Sequence, residues 1–514
     1  MYCQHCGSPL QNDVCPSCNP APVPQSKKSK LPSGILSTVI SFPALAILFV
    51  VLVIPTFIVL LLSFKKYSAM AGLVRSPWIG FENFSVLLSS PHFLGIFKNS
   101  FLIGLFSVLL GSGMVFGATY GIACLKNKWI RRVVLCALIL PSVLPIFGIC
   151  ASIIPKYWLT NAPFYPLAPI LYEMVCVAPL AVLAGSFSSK KRAPLSLALF
   201  VTIGYAALRL MSFFTLGSEF ISATYNPLVY ETADVFGTYT FRTGMQNGNL
   251  PVSAAITIIR MLLGLIPAAI GVALLLFATQ KDNKFPPVET IRHSITKSLP
   301  AFILAAIMFI LALIVVVRSL LGQPIFTNLS VWRSIFIGIL TGAIGSILIA
   351  LLGTLLSAPL ITENRMVQVG GIIIFALLVG CMDNRTGQYF FFRSMGGINT
   401  IAAVVLSYLK YALYFAFGLF IACAGNEKKT FLKQIRSIGA PALALLGVSF
   451  ARLYGTCYTE PMLYLNNRSL YPVSLLLQQI TMGNAPYGFF ITLIVPVLIS
   501  FAGIWLSGLI EEKE

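Results

Sequence analysis

The chain has 514 residues, of which 57% are hydrophobic and only 10% charged, with a net charge of +20. So much apolar surface exceeds what one soluble core buries, which excludes an ordinary globular enzyme and makes lipid the solvent. The positive charge therefore reads as a membrane topology signal rather than a nucleic-acid footprint.

The first 34 residues are polar, Cys- and Pro-rich, and carry no apolar core of a signal peptide. Within them Cys3, Cys6, Cys15 and Cys18 form two Cys-x-x-Cys pairs set eight residues apart, with Gly7 after the first and Pro16 inside the second. Four thiolates on two tight turns suit the tetrahedral preference of zinc, so a structural zinc is expected. His5 is surplus, because four sulfurs close the site, and a closed site has no position for a reactive water. The pattern resembles the short zinc ribbons at the ends of bacterial membrane proteins. PAPVPQSKKSK then reads as an extended linker with a basic anchor at the membrane edge.

From Ile35 onward, runs of about 20 apolar residues predict twelve transmembrane helices. They fall at 35–63, 99–125, 130–154, 167–186, 194–216, 252–279, 298–317, 333–360, 367–382, 397–424, 437–456 and 485–510. The 367–382 run is the shortest. Basic clusters KKSK (27–30), KNKWIRR (126–132), KKR (190–192) and EKKTFLKQIR (427–436) alternate with the spans so that both termini are expected in the cytoplasm. Lys65, Lys66, Arg75 and Lys98 run against that rule, in a loop the topology places outside. Cys124, Cys136, Cys150, Cys176, Cys381 and Cys423 lie in or beside apolar runs and read as small buried hydrophobes.

The polar stretch QKDNKFPPVETIRHSITK divides the spans into two sets of six, each with a long outer loop before its last span. The expected organisation is a zinc ribbon at 1–20, a basic linker at 21–34, a six-helix half at 35–280, a cytoplasmic linker at 281–297 and a second half at 298–514. The fold class is all-α and polytopic.

Ionisable side chains inside spans are costly toward lipid, so Arg209, Arg260, Lys410 and Arg452 either line a polar path or snorkel from span ends. Arg260 is the deepest by these boundaries, and Glu173 and Glu219 are the nearest apolar-flanked acids. GQYFFFRS (387–394) reads as an interfacial aromatic belt. There is no phosphate-binding loop and no His-rich catalytic cluster, so no enzyme is expected.

SPWIGFENFSVLL (76–88), FKNSFLIGLFSVLLG (97–111), LPSVLPIF (140–147) and YNPLVYETADVFGTYTFRTGMQNGN (225–249) resemble sugar-type permeases of type-1 ABC importers, the last stretch their oligosaccharide or polysaccharide subfamily. TEPMLYLNNRSLYPVSLLLQQI (459–480) is similar to the partner subunit of those importers, so two permease subunits would be fused in one chain. The resemblance implies a multi-pass protein of the bacterial plasma membrane, a separate ATPase chain and an extracellular substrate-binding protein that Tyr239 and Arg242 would face. It also implies a Glu-Ala-Ala loop for the ATPase between the fourth and fifth spans. GSFSSKKRAP (185–194) and GNEKKTFLKQIRSIGAPAL (425–443) both lack it. The rival expectation is accordingly a non-transporting relative, a scaffold or sensor acting through its ribbon. A secondary transporter would need coupling acids that the spans barely supply.

Overall fold

The computed structural model describes residues 33–146, 149–150, 154, 156–188, 193–225, 227–281, 295–320, 329–362, 364–423, 431–482 and 490–513. Cys3, Cys6, Cys15 and Cys18 lie outside the described residues. Every principal element is a helix: α1 (Ile35–Ser63), α2 (Phe93–Ala123), α3 (Lys128–Val143), α4 (Leu167–Ser186), α5 (Pro194–Met211) and α6 (Leu250–Lys281). Then follow α7 (Ile295–Leu320), α8 (Leu329–Ile361), α9 (Arg365–Gly380), α10 (Arg385–Ser394), α11 (Ile401–Cys423), α12 (Phe431–Gly455) and α13 (Phe490–Lys513).

Among the described residues, ten helices are long and apolar enough to cross a membrane, or eleven if α9 and α10 are one span bent by 82°. The chain is an all-α, multi-pass membrane protein. The predicted 130–154 span is occupied by α3, whose helix gives way at Leu144 and Pro145. The short 367–382 run is α9, and the bend follows it directly.

Proline shapes two of the spans. Pro55 in α1 and Pro179 in α4 have no N–H to return to the previous turn, and each follows a π turn, Phe49–Val53 and Glu173–Val177. In both, the next residue bonds five back: the Ile54 N–H to the Phe49 carbonyl, the Ala178 N–H to the Glu173 carbonyl. The α11 span breaks differently, through a 3-10 turn at Leu409–Tyr411.

Helix packing is reciprocal. In the N-terminal set α5 packs on α2 and α6, and α4 on α2; in the C-terminal set α12 packs on α8 and α13, and α11 on α8. The leading helix of each set crosses over: α1 lies on α8, and α7 lies on α2. The sets also meet through α4 with α11, α6 with α9, and α13 with α3. The counterparts α3 and α9 even share an N-cap, Asn127 accepting from Trp129 and Ile130 N–H, and Asn364 from Met366 and Val367 N–H.

The loop after α1 is built on Lys65. Its ammonium is buried, donating to the carbonyls of Leu73 (2.8 Å) and Val74 (3.0 Å) and lying 4.8 Å from the Trp78 ring. Asn83 ties the loop down by donating to the carbonyls of Ser63 (2.9 Å) and Lys65 (3.1 Å). The fold thus uses Lys65 as an internal donor. The aromatic run of α10 is likewise partly internal: Phe392 is buried edge-on to Tyr464, at 5.1 Å between ring centres.

Candidate functional site: a charged cavity between the helix sets

Where α4 and α5 meet α11 and α12, the bundle encloses a cavity of about 250 Å³. Four basic and four acidic side chains line it: Arg209, Arg385, Lys410 and Arg452 against Glu173, Glu219, Asp383 and Glu460. Tyr172, Tyr205, Tyr411 and Tyr414 add aromatic faces with polar tips.

Most of this charge is paired. Arg209 Nε stands 2.7 Å from Glu173 Oε1, which also accepts from the Tyr205 hydroxyl at 3.3 Å. Lys410 Nζ stands 2.7 Å from Glu460 Oε1, which accepts from the Tyr411 hydroxyl at 2.9 Å. The neighbouring Thr459 hydroxyl donates to Glu460 Oε2 at 3.0 Å. Pairing with hydrogen bonds to the remaining lone pairs is what makes buried ions tolerable.

Glu219 and Arg452 are exceptions. Among the described residues, Arg452 donates only to the Cys176 carbonyl, at 3.4 Å, a group on the π turn of α4, and Glu219 Oε1 is buried with no hydrogen-bond partner. Among the described residues both line the one cavity and form no ion pair within 4 Å.

The corner between α9 and α10 closes one side. Asp383 accepts from Arg385 Nε at 3.1 Å, while Arg260 on α6 donates to its backbone carbonyl at 2.8 Å and places a second nitrogen 3.7 Å from Oδ2. Arg385 also donates to the Ser222 hydroxyl at 2.9 Å, and the Ser253 and Thr386 hydroxyls meet at 2.8 Å. Arg260 is therefore a fastener behind the wall rather than part of it.

Of the four intramembrane cations singled out from sequence, Arg209, Lys410 and Arg452 converge on the cavity, and Arg260 braces its corner. Asp383, Arg385 and Glu460 escaped sequence reasoning because they sit on the α9–α10 corner and just beyond α12, outside the apolar runs. The available signal was MDNRTG, an acid and a base directly after the weakest span.

Tyr239 and Arg242, the pair expected to face an outer partner, are both half-buried. Arg242 forms an ion pair with Asp234 at 2.5 Å and lies 4.4 Å from the Tyr230 ring and 5.2 Å from the Tyr239 ring. The Tyr225 hydroxyl donates to the other oxygen of Asp234. This cluster staples the 225–246 loop to itself.

No family model matches the chain. It is 22% identical over 270 residues to Protein LplB of Bacillus subtilis (strain 168), covering 44% of this chain and 81% of that protein. Among solved structures, a bacterial alginate ABC transporter in complex with an alginate pentasaccharide-bound periplasmic protein matches 49% of this chain and 94% of its own, at 20% identity and a TM-score of 0.37. A bacterial ABC transporter involved in the import of the acidic polysaccharide alginate matches 49% and 97%, at 21% identity and a TM-score of 0.36. The chain is thus a multi-pass membrane protein with a charged internal cavity, similar over part of its length to LplB.

Proposed function

We propose that the chain is the membrane permease of an ABC-type importer for carbohydrates, with two related six-span halves in one polypeptide. The observation that carries this reading is the reciprocal packing of the two helix sets, with crossed-over leading helices, around a polar cavity. The sequence motifs at 76–88 and 225–249 and the similarity to LplB support it. In this reading cargo passes through the cavity as one half rocks against the other. Arg452 and Glu219 offer it a cation and a carboxylate, and the tyrosine rings offer faces for sugar. The partners are a cytoplasmic ATPase and an extracellular binding protein, and both termini are cytoplasmic. A zinc held by Cys3, Cys6, Cys15 and Cys18 belongs to this proposal on ligand spacing alone.

A second reading, a non-transporting scaffold, draws support from one feature: residues 187–193 alone join α4 to α5, too short a connection for a helix pair that would grip an ATPase. Affinity capture of the tagged chain from mild detergent separates the two. An ATPase subunit whose turnover responds to this chain is expected; its absence from repeated captures of folded protein leaves the scaffold. Thiol labelling of intact cells tests orientation, since reaction of Cys3 from outside would reverse it.

A further inference from the structure

The charges around the cavity stand at corresponding places in the two helix sets. Arg209 and Arg452 lie in the last turns of α5 and α12. Glu219 and Glu460 are each the second residue of the short helix that follows, Ser218–Ala223 in one set and Thr459–Tyr464 in the other. Glu173 and Lys410 mark the breaks of α4 and α11. The N-terminal set pairs Arg209 with Glu173 and leaves Glu219 over, whereas the C-terminal set pairs Lys410 with Glu460 and leaves Arg452 over. The two remaining charges of the lining, Asp383 and Arg385, hold each other at 3.1 Å.

What is left over is one acid and one base, contributed by opposite helix sets. The Tyr458 hydroxyl donates to the Glu219 backbone carbonyl at 3.3 Å, which ties the short helix to the C-terminal set without engaging its carboxylate. Glu219 Oε1 is buried and has no hydrogen-bond partner. Among the described residues Arg452 spends one N–H on the Cys176 carbonyl at 3.4 Å, out of the five that a guanidinium carries. The cavity, at about 250 Å³, is smaller than the ~300–1,000 Å³ pockets that enclose drug-sized ligands, so it suits a compact solute.

We propose that the cavity selects a zwitterionic cargo, a compact amino-sugar acid whose ammonium meets Glu219 and whose carboxylate meets Arg452. The sugar frame rests on the carbohydrate-importer reading above; the two charges rest on the cavity alone. A purely anionic solute would pair with Arg452 and bring a second carboxylate toward Glu219, and a purely cationic one would pair with Glu219 and face Arg452. With four cations and four carboxylates in its lining, the cavity stays neutral only around a guest of no net charge. A guest that bridges Glu219 and Arg452 also touches both helix sets at once, which suits a site between two moving halves.

The test is titration calorimetry on the full chain in mild detergent with muramic acid, which carries an amine and a carboxylate on one sugar ring, against glucosamine, glucuronate, glucose and serine. Wild type is expected to bind muramic acid at least about tenfold more tightly than each of the others, the worth of one hydrogen bond to a charged group. Arg452→Gln should erase the preference over glucosamine and Glu219→Gln the preference over glucuronate, both with wild-type helical circular dichroism. Arg452→Lys, which keeps the charge, should retain most of the preference. Glucosamine or glucuronate binding as tightly as muramic acid, or an undiminished preference in the folded Gln variants, overturns the proposal. Serine binding as tightly overturns it by assigning the charges to an amino acid, and absence of muramic acid binding overturns it by leaving them to water. Capture of a responsive ATPase alongside any of these failures keeps the permease reading standing, so the two fail separately.

Discussion

Glu173 and Lys410 carry opposite charges at matching points of the two helix sets. Glu173 opens the π turn of α4, and Lys410 is the central residue of the 3-10 turn of α11. At each break the span departs from regular α geometry and presents a charged side chain to the shared cavity, where a partner of opposite sign neutralises it at 2.7 Å.

Because Lys410 and Glu460 are both buried, removing one strands the other. Lys410→Met alone should cost about 3–5 kcal/mol, while Lys410→Met with Glu460→Gln should cost distinctly less. Thermal unfolding of the three proteins in one detergent measures the cycle. Equal losses for single and double variants would show that the pair does not act as a unit.

Among the described residues Arg452 donates only to a carbonyl and forms no ion pair, so Arg452→Gln should leave stability within about 1 kcal/mol of wild type. Under the proposed permease function, cargo uptake, or the ATP turnover of an ATPase captured with the chain, should instead fall steeply. Full activity in this variant would remove Arg452 from the transport path.

Arg260 should behave in the opposite way. It is buried and braces the Asp383 corner from behind the cavity wall, so Arg260→Gln should lose about 3 kcal/mol. A melting temperature equal to that of Arg452→Gln would contradict its role as a fastener.

Arg242 is gripped by Asp234 and two tyrosine rings. Lysine keeps the charge but lacks the planar face, so Arg242→Lys should loosen the 225–246 loop at a cost of about 1 kcal/mol. Faster limited proteolysis within that loop is the expected readout, and an unchanged cleavage rate would argue against the staple.

The proposed N-terminal ribbon is separate from the bundle in sequence, so Cys15→Ser should lose the proposed zinc, about one ion per chain, and leave helical circular dichroism intact. Metal analysis of the purified wild-type chain decides this directly, since a zinc-free protein refutes the ligand set.

The spans were legible because lipid imposes a one-dimensional rule: a helix that crosses hydrocarbon needs an unbroken apolar run, and such runs are visible without knowing any neighbour. The starts and ends of α4, α8 and α12 fall within a few residues of the apolar runs that announce them. Chemical type was legible as well, since Arg209, Lys410 and Arg452 stand out as charges in apolar surroundings. Their partners were not. Glu460 and Asp383 lie in connectors where acids are ordinary, and only folding carries them to Lys410 and Arg260.

By itself the sequence determined that this is an all-α membrane protein, roughly where its helices run, and which charges lie inside the apolar runs. Only the tertiary structure decided that α1 and α7 exchange sides, that Arg260 is a brace while Arg452 faces the cavity, and that Glu219 Oε1 finds no hydrogen-bond partner among the described residues. The physical reason is that hydropathy is a property of a segment, whereas a salt bridge joins side chains from different helices or loops and exists only when packing brings them within about 4 Å.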